Sequence, residues 1–516
     1  MRTQTMVISI VTMVSMFAAS TARAATVSGT VKVGGLFVDE VGDLSTVQET
    51  YNLYEGFALS RIQLMGTLDP KNSFTLDVRD LNRDSRAGDL TYRVADRFKL
   101  RAGYDQSRQV FDPGRGVTSM RKDGQLGLQY TPSRSLALTG DLNYLTREGK
   151  RLSYPTGTVS VLGDSYDNSF TSGQLAADFH QGRRGGGVSF RMSDYSDALN
   201  SAADRQGWVA AARLYAPMPF YDKWNNLFRG SYGIRELKDG GLDYTLSSFQ
   251  YTAIVQPQTA YEFRYGFLAS RVDDASTEFM TDRFVNDVDA TWFHKYGRVN
   301  VGYSYEMNDD DRRLTTYQTW RAGATLRPDR RLTFRLDWAD RAKKDQEELT
   351  LLKDIDASRV RVELEVRPVE RLTISGDFTS REREMTDIQV SMTGDRTGAV
   401  VRYDLTGWGA FSADYSHATD SYVDLLAGFD TESDIVTARI DVARIKNLSL
   451  AGGFTYMDIG KDLNIEKSMV FVEGALRFAQ RYRLEAKYNC YNYDDYILLD
   501  RYYTANVVRI DLGYDL

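Results

Sequence analysis

Residues Ala357–Thr379 read ASRVRVELEVRPVERLTISGDFT. In the first arm Val360, Val362, Leu364 and Val366 alternate with Arg359, Arg361, Glu363, Glu365 and Arg367. Pro368 and Val369 turn the chain. In the second arm Leu372, Ile374, Gly376 and Phe378 alternate with Thr373, Ser375, Asp377 and Thr379. Successive side chains of a strand point to opposite faces. A period of two over both arms therefore predicts a β-hairpin with one apolar and one polar, mostly charged face.

The same pattern runs outward in both directions. Trp320, Ala322, Ala324 and Leu326 alternate with Arg321, Gly323, Thr325 and Arg327. After a turn at Pro328-Asp329, Leu332, Phe334, Leu336 and Trp338 alternate with Thr333, Arg335 and Asp337. Further on, Val470, Val472, Leu476 and Phe478 are answered by Tyr482, Leu484, Ala486 and Tyr488, which leaves Arg477, Arg483, Glu485 and Lys487 on the other face. The last arm, Tyr503 to Leu516, puts Val508, Ile510, Leu512, Tyr514 and Leu516 on one side. Marking every arm gives about 26 strands, within the range of outer-membrane barrels.

What sits on the apolar face separates a membrane barrel from a soluble sandwich. Its middle is mostly Leu, Val, Ala and Gly, and aromatics such as Trp320, Trp338, Tyr456, Tyr482 and Tyr488 lie towards its ends. That is a lipid-facing band with aromatic girdles at the water boundaries. Apart from an N-terminal signal, no run of 18 apolar residues exists, so no transmembrane helix is expected. A mean hydropathy of −0.42 fits a barrel, because every second residue faces water. The fold expected is all-β: a large transmembrane antiparallel β-barrel with short periplasmic turns and longer extracellular loops, in a bacterial outer membrane.

Punctuation supports that orientation. Pro70, Pro132, Pro217, Pro219, Pro257, Pro328 and Pro368 fall in short connections of one class. The other class holds longer polar ones, such as Val41 to Tyr54, Val110 to Thr118, Gly149 to Ser169 and Asn308 to Arg312. Residues 1–24 read as a signal peptide, with Arg2, an apolar stretch from Met6 to Ala19, and Ala22-Arg23-Ala24 before the cleavage point. Residues 25–516 are then the barrel. The net charge of −7 becomes −9 once Arg2 and Arg23 are removed, and interspersed signs leave no nucleic-acid footprint.

Strands about 4.8 Å apart and tilted about 40° give a backbone diameter near 50 Å for about 26 strands. No unpatterned stretch is long enough to form a plug domain. A wide barrel without a plug, with a lumen rich in both charges, suggests a sheath around a separate protein. The lumen-facing set is Arg321, Arg335, Asp337, Arg359, Arg361, Glu363, Glu365, Arg367, Arg477, Arg483, Glu485 and Lys487. These side chains either contact a partner or solute as rings of charge, or hydrate the lumen and help neighbouring strands pair.

In its many short-turned arms rich in Tyr and Asp, such as Leu100–Asp105 and Ile374–Phe378, the chain resembles the MtrB/PioB family of outer-membrane porins, whose members wrap a multihaem cytochrome. The resemblance implies the porin of an electron conduit, partnered by a periplasmic or outer-membrane multihaem c-type cytochrome that carries the haem. This chain itself is expected to bind no cofactor and no metal. The alternative is a passive porin or exporter for a charged solute or polysaccharide.

Other candidates point to no chemistry. Cys490 lies on the apolar face, and as the only cysteine it excludes an intramolecular disulfide framework and C-x-x-C-H haem attachment. His180, His294 and His417 lie far apart in sequence and read as turn or lumen residues. Asn308–Asp311 lacks the spacing of a calcium loop, and Gly182–Gly187 reads as a flexible basic turn without the lysine of a phosphate loop. No catalytic constellation is evident, and the chain is not expected to be an enzyme.

Overall fold

The computed structural model describes residues 26–42, 55–69, 71–112, 117–150, 165–238, 243–274, 279–310, 313–346, 354–424, 427–443, 445–497 and 502–516. The signal segment, residues 1–24, and most of the longest loop read from sequence, residues 151–164, lie outside them.

Twenty-six strands, from β1 (Thr26–Gly42) to β26 (Tyr502–Asp515), form one antiparallel sheet in which each strand pairs with the next. β26 then returns to β1 in an unbroken ladder from Thr30–Asp515 to Gly42–Tyr503. The sheet is a closed barrel with the strand number read from the sequence. Two single 3-10 turns, at Ser201–Ala203 and Thr386–Ile388, are the only helical residues among those described.

The opening hairpin shows how the alternation works. In β18 (Ile355–Val369) and β19 (Leu372–Met385), Val362 faces Phe378, Leu364 faces Gly376 and Val366 faces Ile374. The turn itself is Glu370-Arg371, two residues later than the sequence suggests. Proline has no N–H to give to a ladder. The pairing accordingly skips from Val366–Ile374 to Val369–Leu372, leaving Pro368 in the gap while the strand runs on. Pro132, Pro257 and Pro328 sit in the same kind of gap, each just before a two-residue turn. At the second of the misplaced turns, Asp329 accepts the N–H groups of Arg331 and Leu332 at 2.6 and 3.0 Å.

Connections sort onto two rims. One carries turns of two to five residues, and both the start of β1 and the end of β26; the other carries connections of three to fourteen. On the apolar face Leu128, Leu142, Leu175, Val188, Val301, Leu364, Val472 and Ile510 are all exposed. A continuous apolar band on that scale is not stable against water, so this face is the outside and meets lipid. Rings cluster near its edges. By the short rim Tyr482 lies 5.7 Å from Phe478 and 5.1 Å from Tyr514; towards the long rim Trp208 sits between Phe190 and Tyr232, and at mid-strand Tyr303 lies 4.5 Å from Trp320. The molecule is a large barrel of the outer-membrane type.

Leu364→Arg, which puts a guanidinium on the lipid face, should cost about 2–4 kcal/mol of folding free energy. Ser375→Arg, on the lumen face, should cost almost nothing. Urea unfolding in phospholipid vesicles reads both, and equal losses would mean that the two faces are wrongly assigned.

Candidate functional site

All twelve charged residues named from the sequence stand on the face opposite the apolar band. They do not form one site. Eight lie on β16 (Leu314–Asp329), β17 (Leu332–Asp345) and β18, and four on β24 (Ile465–Phe478) and β25 (Tyr482–Asp495), with β19 and four further strands between.

Their partners depart from simple cross-strand pairing. Opposite charges do face each other at Arg335–Glu363, 2.8 Å, at Lys487–Glu473, 3.9 Å, and at Asp337–Arg361. Elsewhere like charges face: Arg359 with Arg381, Arg477 with Arg483, and Lys487 with Arg509. Ion pairs then form along single strands, two residues apart. Arg361 pairs with Glu363, Arg367 with Glu365 at 2.9 Å, and Arg483 with Glu485 at 2.7 Å. Lys32 of β1 reaches the same Glu485 at 2.6 Å. These pairs are half-exposed to water, so each adds at most about 1 kcal/mol. Their geometric effect matters more, since a side chain tied to its own strand lies along the wall.

A second device lets ion pairs span three strands. Arg321 on β16 reaches Asp287 and, at 3.2 Å, Asp289 on β14 (Phe279–His294), passing over Gly302 of β15 (Gly297–Asp309). A Cβ at Gly302 would lie 2.1 Å from Asp289 Oδ1, so any other residue would displace the bridge. The arrangement recurs around the barrel, as two further cases show. Arg213 on β10 (Arg205–Met218) meets Asp178 on β8 (Ser165–Gln181) at 2.7 Å over Gly187 of β9 (Arg184–Asp197). Arg381 on β19 meets Asp420 on β21 (Gly409–Val423) at 2.5 Å over Gly394 of β20 (Val390–Asp404). The run Gly182–Gly187 is thus mostly strand. Only Gly182, at φ +60°, and Arg183 form the turn, and Gly187 holds the gap.

The remaining sequence candidates fall as follows. Cys490 is on the outward face between Val470 and Asn506. His180 faces the lumen beside Gly185, and His294 sits outside between the rings of Trp292 and Tyr296, 5.4 and 5.2 Å away. Asp310 accepts the Arg313 N–H at 2.6 Å; Asp311 lies outside the described residues. His417 differs from its expected place as a turn or lumen residue. It is outward, in β21, where its Nδ1 is 3.0 Å from Asp434 and Tyr415 donates to the same carboxylate at 2.7 Å. With Glu432 these two residues are the one group among those described whose His and acid ligand atoms come within 4.8 Å of one another.

No family model matches the chain, and no curated protein matches it. Among solved structures, a mutant of the ferric enterobactin receptor PfeA from Pseudomonas aeruginosa shares 8% identity at a TM-score of 0.52, covering 96% of this chain and 81% of that one. The ferric-catecholate import receptor Fiu from E. coli K12 shares 9% at 0.51, covering 95% and 82%. At such identity the likeness is one of fold: a large outer-membrane barrel.

Gly302→Ala should lower stability by about 1 kcal/mol through loss of the Arg321 bridge. Gly266→Ala, whose nearest neighbour would be 3.5 Å away, should be neutral. In an Asp289→Ala background the Gly302→Ala cost should largely vanish. Additive costs in that cycle would rule out the gap as the cause.

Proposed function

We propose that the barrel is a sheath holding a multihaem c-type cytochrome, so that electrons cross the outer membrane through the partner's haems. The observation that carries this is the closure of twenty-six strands around a lumen that no described segment fills. A backbone diameter near 50 Å, less about 5 Å of side chain on each side, leaves a bore of about 40 Å. A compact domain of about 100 residues has a radius of gyration near 13 Å and, as a sphere, a diameter of about 34 Å. Such a domain fits. A fourteen-residue connection such as residues 151–164 is far too short to fill the same space.

The character of the wall agrees. Ion pairs laid along strands or over glycines leave a surface of low relief, one that a folded protein can approach closely. The barrel insulates and positions, and the chemistry belongs to the partner. The resemblance to porins that wrap cytochromes names the kind of occupant.

Purification in mild detergent, with a haem stain and an absorption spectrum, tests the proposal. A haem protein in fixed ratio to the barrel, retained through a high-salt wash, is the expected result. A colourless barrel would overturn it in favour of a passive porin or exporter for a charged solute or polysaccharide.

A further inference from the structure

The lumen wall gathers arginines in the long-rim half of four neighbouring strands. In the long-rim half of β17 to β20, three successive rows across the sheet contain six inward arginines. The first row holds Arg341 and Arg383, with Ala357 between them; the second holds Arg359 directly opposite Arg381; the third holds Arg361 and Arg396, with Thr379 between and Asp337 on the far side of Arg361. Three have partners. Arg361 pairs with Glu363, Arg381 with Asp420, and Arg341 lies over the Tyr317 ring at 4.4 Å and 4.0 Å from Glu306. Arg359, Arg383 and Arg396 are exposed and pair with no acid among the described residues.

In sequence these arginines look neutralised, because acids stand beside them: Asp340-Arg341, Glu382-Arg383-Glu384 and Asp395-Arg396. The strand period undoes that balance. Asp340 faces Trp320 on the lipid side, and Glu382, Glu384 and Asp395 share that outward face, while every arginine turns inward. Like charges placed directly opposite on neighbouring strands are unfavourable. Of the inward carboxylates nearby, Asp420 is paired with Arg381 and Asp337 stands one row away opposite Arg361, so no acid lies directly between Arg359 and Arg381.

We infer that this patch is a binding site for multivalent oxyanions, with carboxylates or phosphates carried close together. A guanidinium fork takes two oxygens of such a group at once. Neighbouring forks stand about 5 Å apart across strands and about 7 Å apart along them, a spacing that adjacent charged groups on one ligand can match. The ligand is either the acidic face of a protein held in the lumen or a free polyanionic solute. The site stands whichever of these the lumen contains.

Calorimetric titration of the full-length barrel in detergent at low salt, with inorganic tripolyphosphate as the probe, tests the site. The variant R359Q/R383Q/R396Q should bind at least tenfold more weakly than the wild type. The variant R191Q/R229Q/R264Q removes three exposed lumen arginines spread over other strands, and it should lose less than threefold. Absence of binding to the wild type, or equal losses in the two variants, would overturn the assignment. Unchanged unfolding midpoints keep misfolding out of the comparison. The source of the anion follows from a second arm. Binding seen only after the barrel is stripped of whatever it holds assigns the site to a lumen protein, and equal binding before and after assigns it to a solute.

Discussion

The ladder between β26 and β1 is the shortest description of why the rest of the molecule is possible. Inside a bilayer no water satisfies a backbone N–H or C=O, and each unpaired group costs several kcal/mol. A sheet with two free edges would expose both edge strands to hydrocarbon. Pairing Thr30–Asp515 through Gly42–Tyr503 removes those edges together. Closure also converts a strand count into a radius. With twenty-six strands the inner faces can no longer touch across the interior, so the second face of every strand must be made compatible with water or with another molecule. The apolar outer band and the charged inner wall are two consequences of that one closure.

Much of this was written in the alternation. Val360, Val362, Leu364 and Val366 took the outer face and Arg359 to Arg367 the inner one, because a side chain's face in a strand depends only on its parity. Turn positions are less legible than strand faces. Pro368 looked like the corner, yet a proline left unpaired in a ladder gap lets its strand continue to Val369. What the charges do was hardly legible. The partner of Arg321 lies 34 residues away, across a strand that had to present Gly302 at that level. Three registers must be known before such a bridge can be foreseen. The segregation of Arg383 from Glu382 and Glu384 follows from parity alone, although the signs alternate along the chain. His417 was misplaced for a similar reason: a lone histidine on a strand shows its neighbours only once Asp434 and Glu432 are set in register beside it.

The inner wall connects these details to function. Charged side chains tied to their own strand, or laid over a glycine, do not reach into the bore, so much of the lumen keeps its full width. The Arg359–Arg381 region is the exception, where positive charge is concentrated and left open. A wall of low relief and mixed sign, with positive charge concentrated at the Arg359–Arg381 region, suits a large occupant held in a preferred orientation. Small solutes would gain little from such width, since an exposed charge acts over roughly 10 Å at moderate salt, well short of the bore.

What fills the lumen, this chain or another molecule, decides between sheath and pore. Single-channel conductance in a planar bilayer separates the cases, measured on the native complex and on the same barrel after its occupant has been stripped away. The sheath predicts a nearly closed native complex and a stripped barrel that conducts far more than a 16-stranded porin. Equal conductance before and after stripping, open or closed, would contradict it.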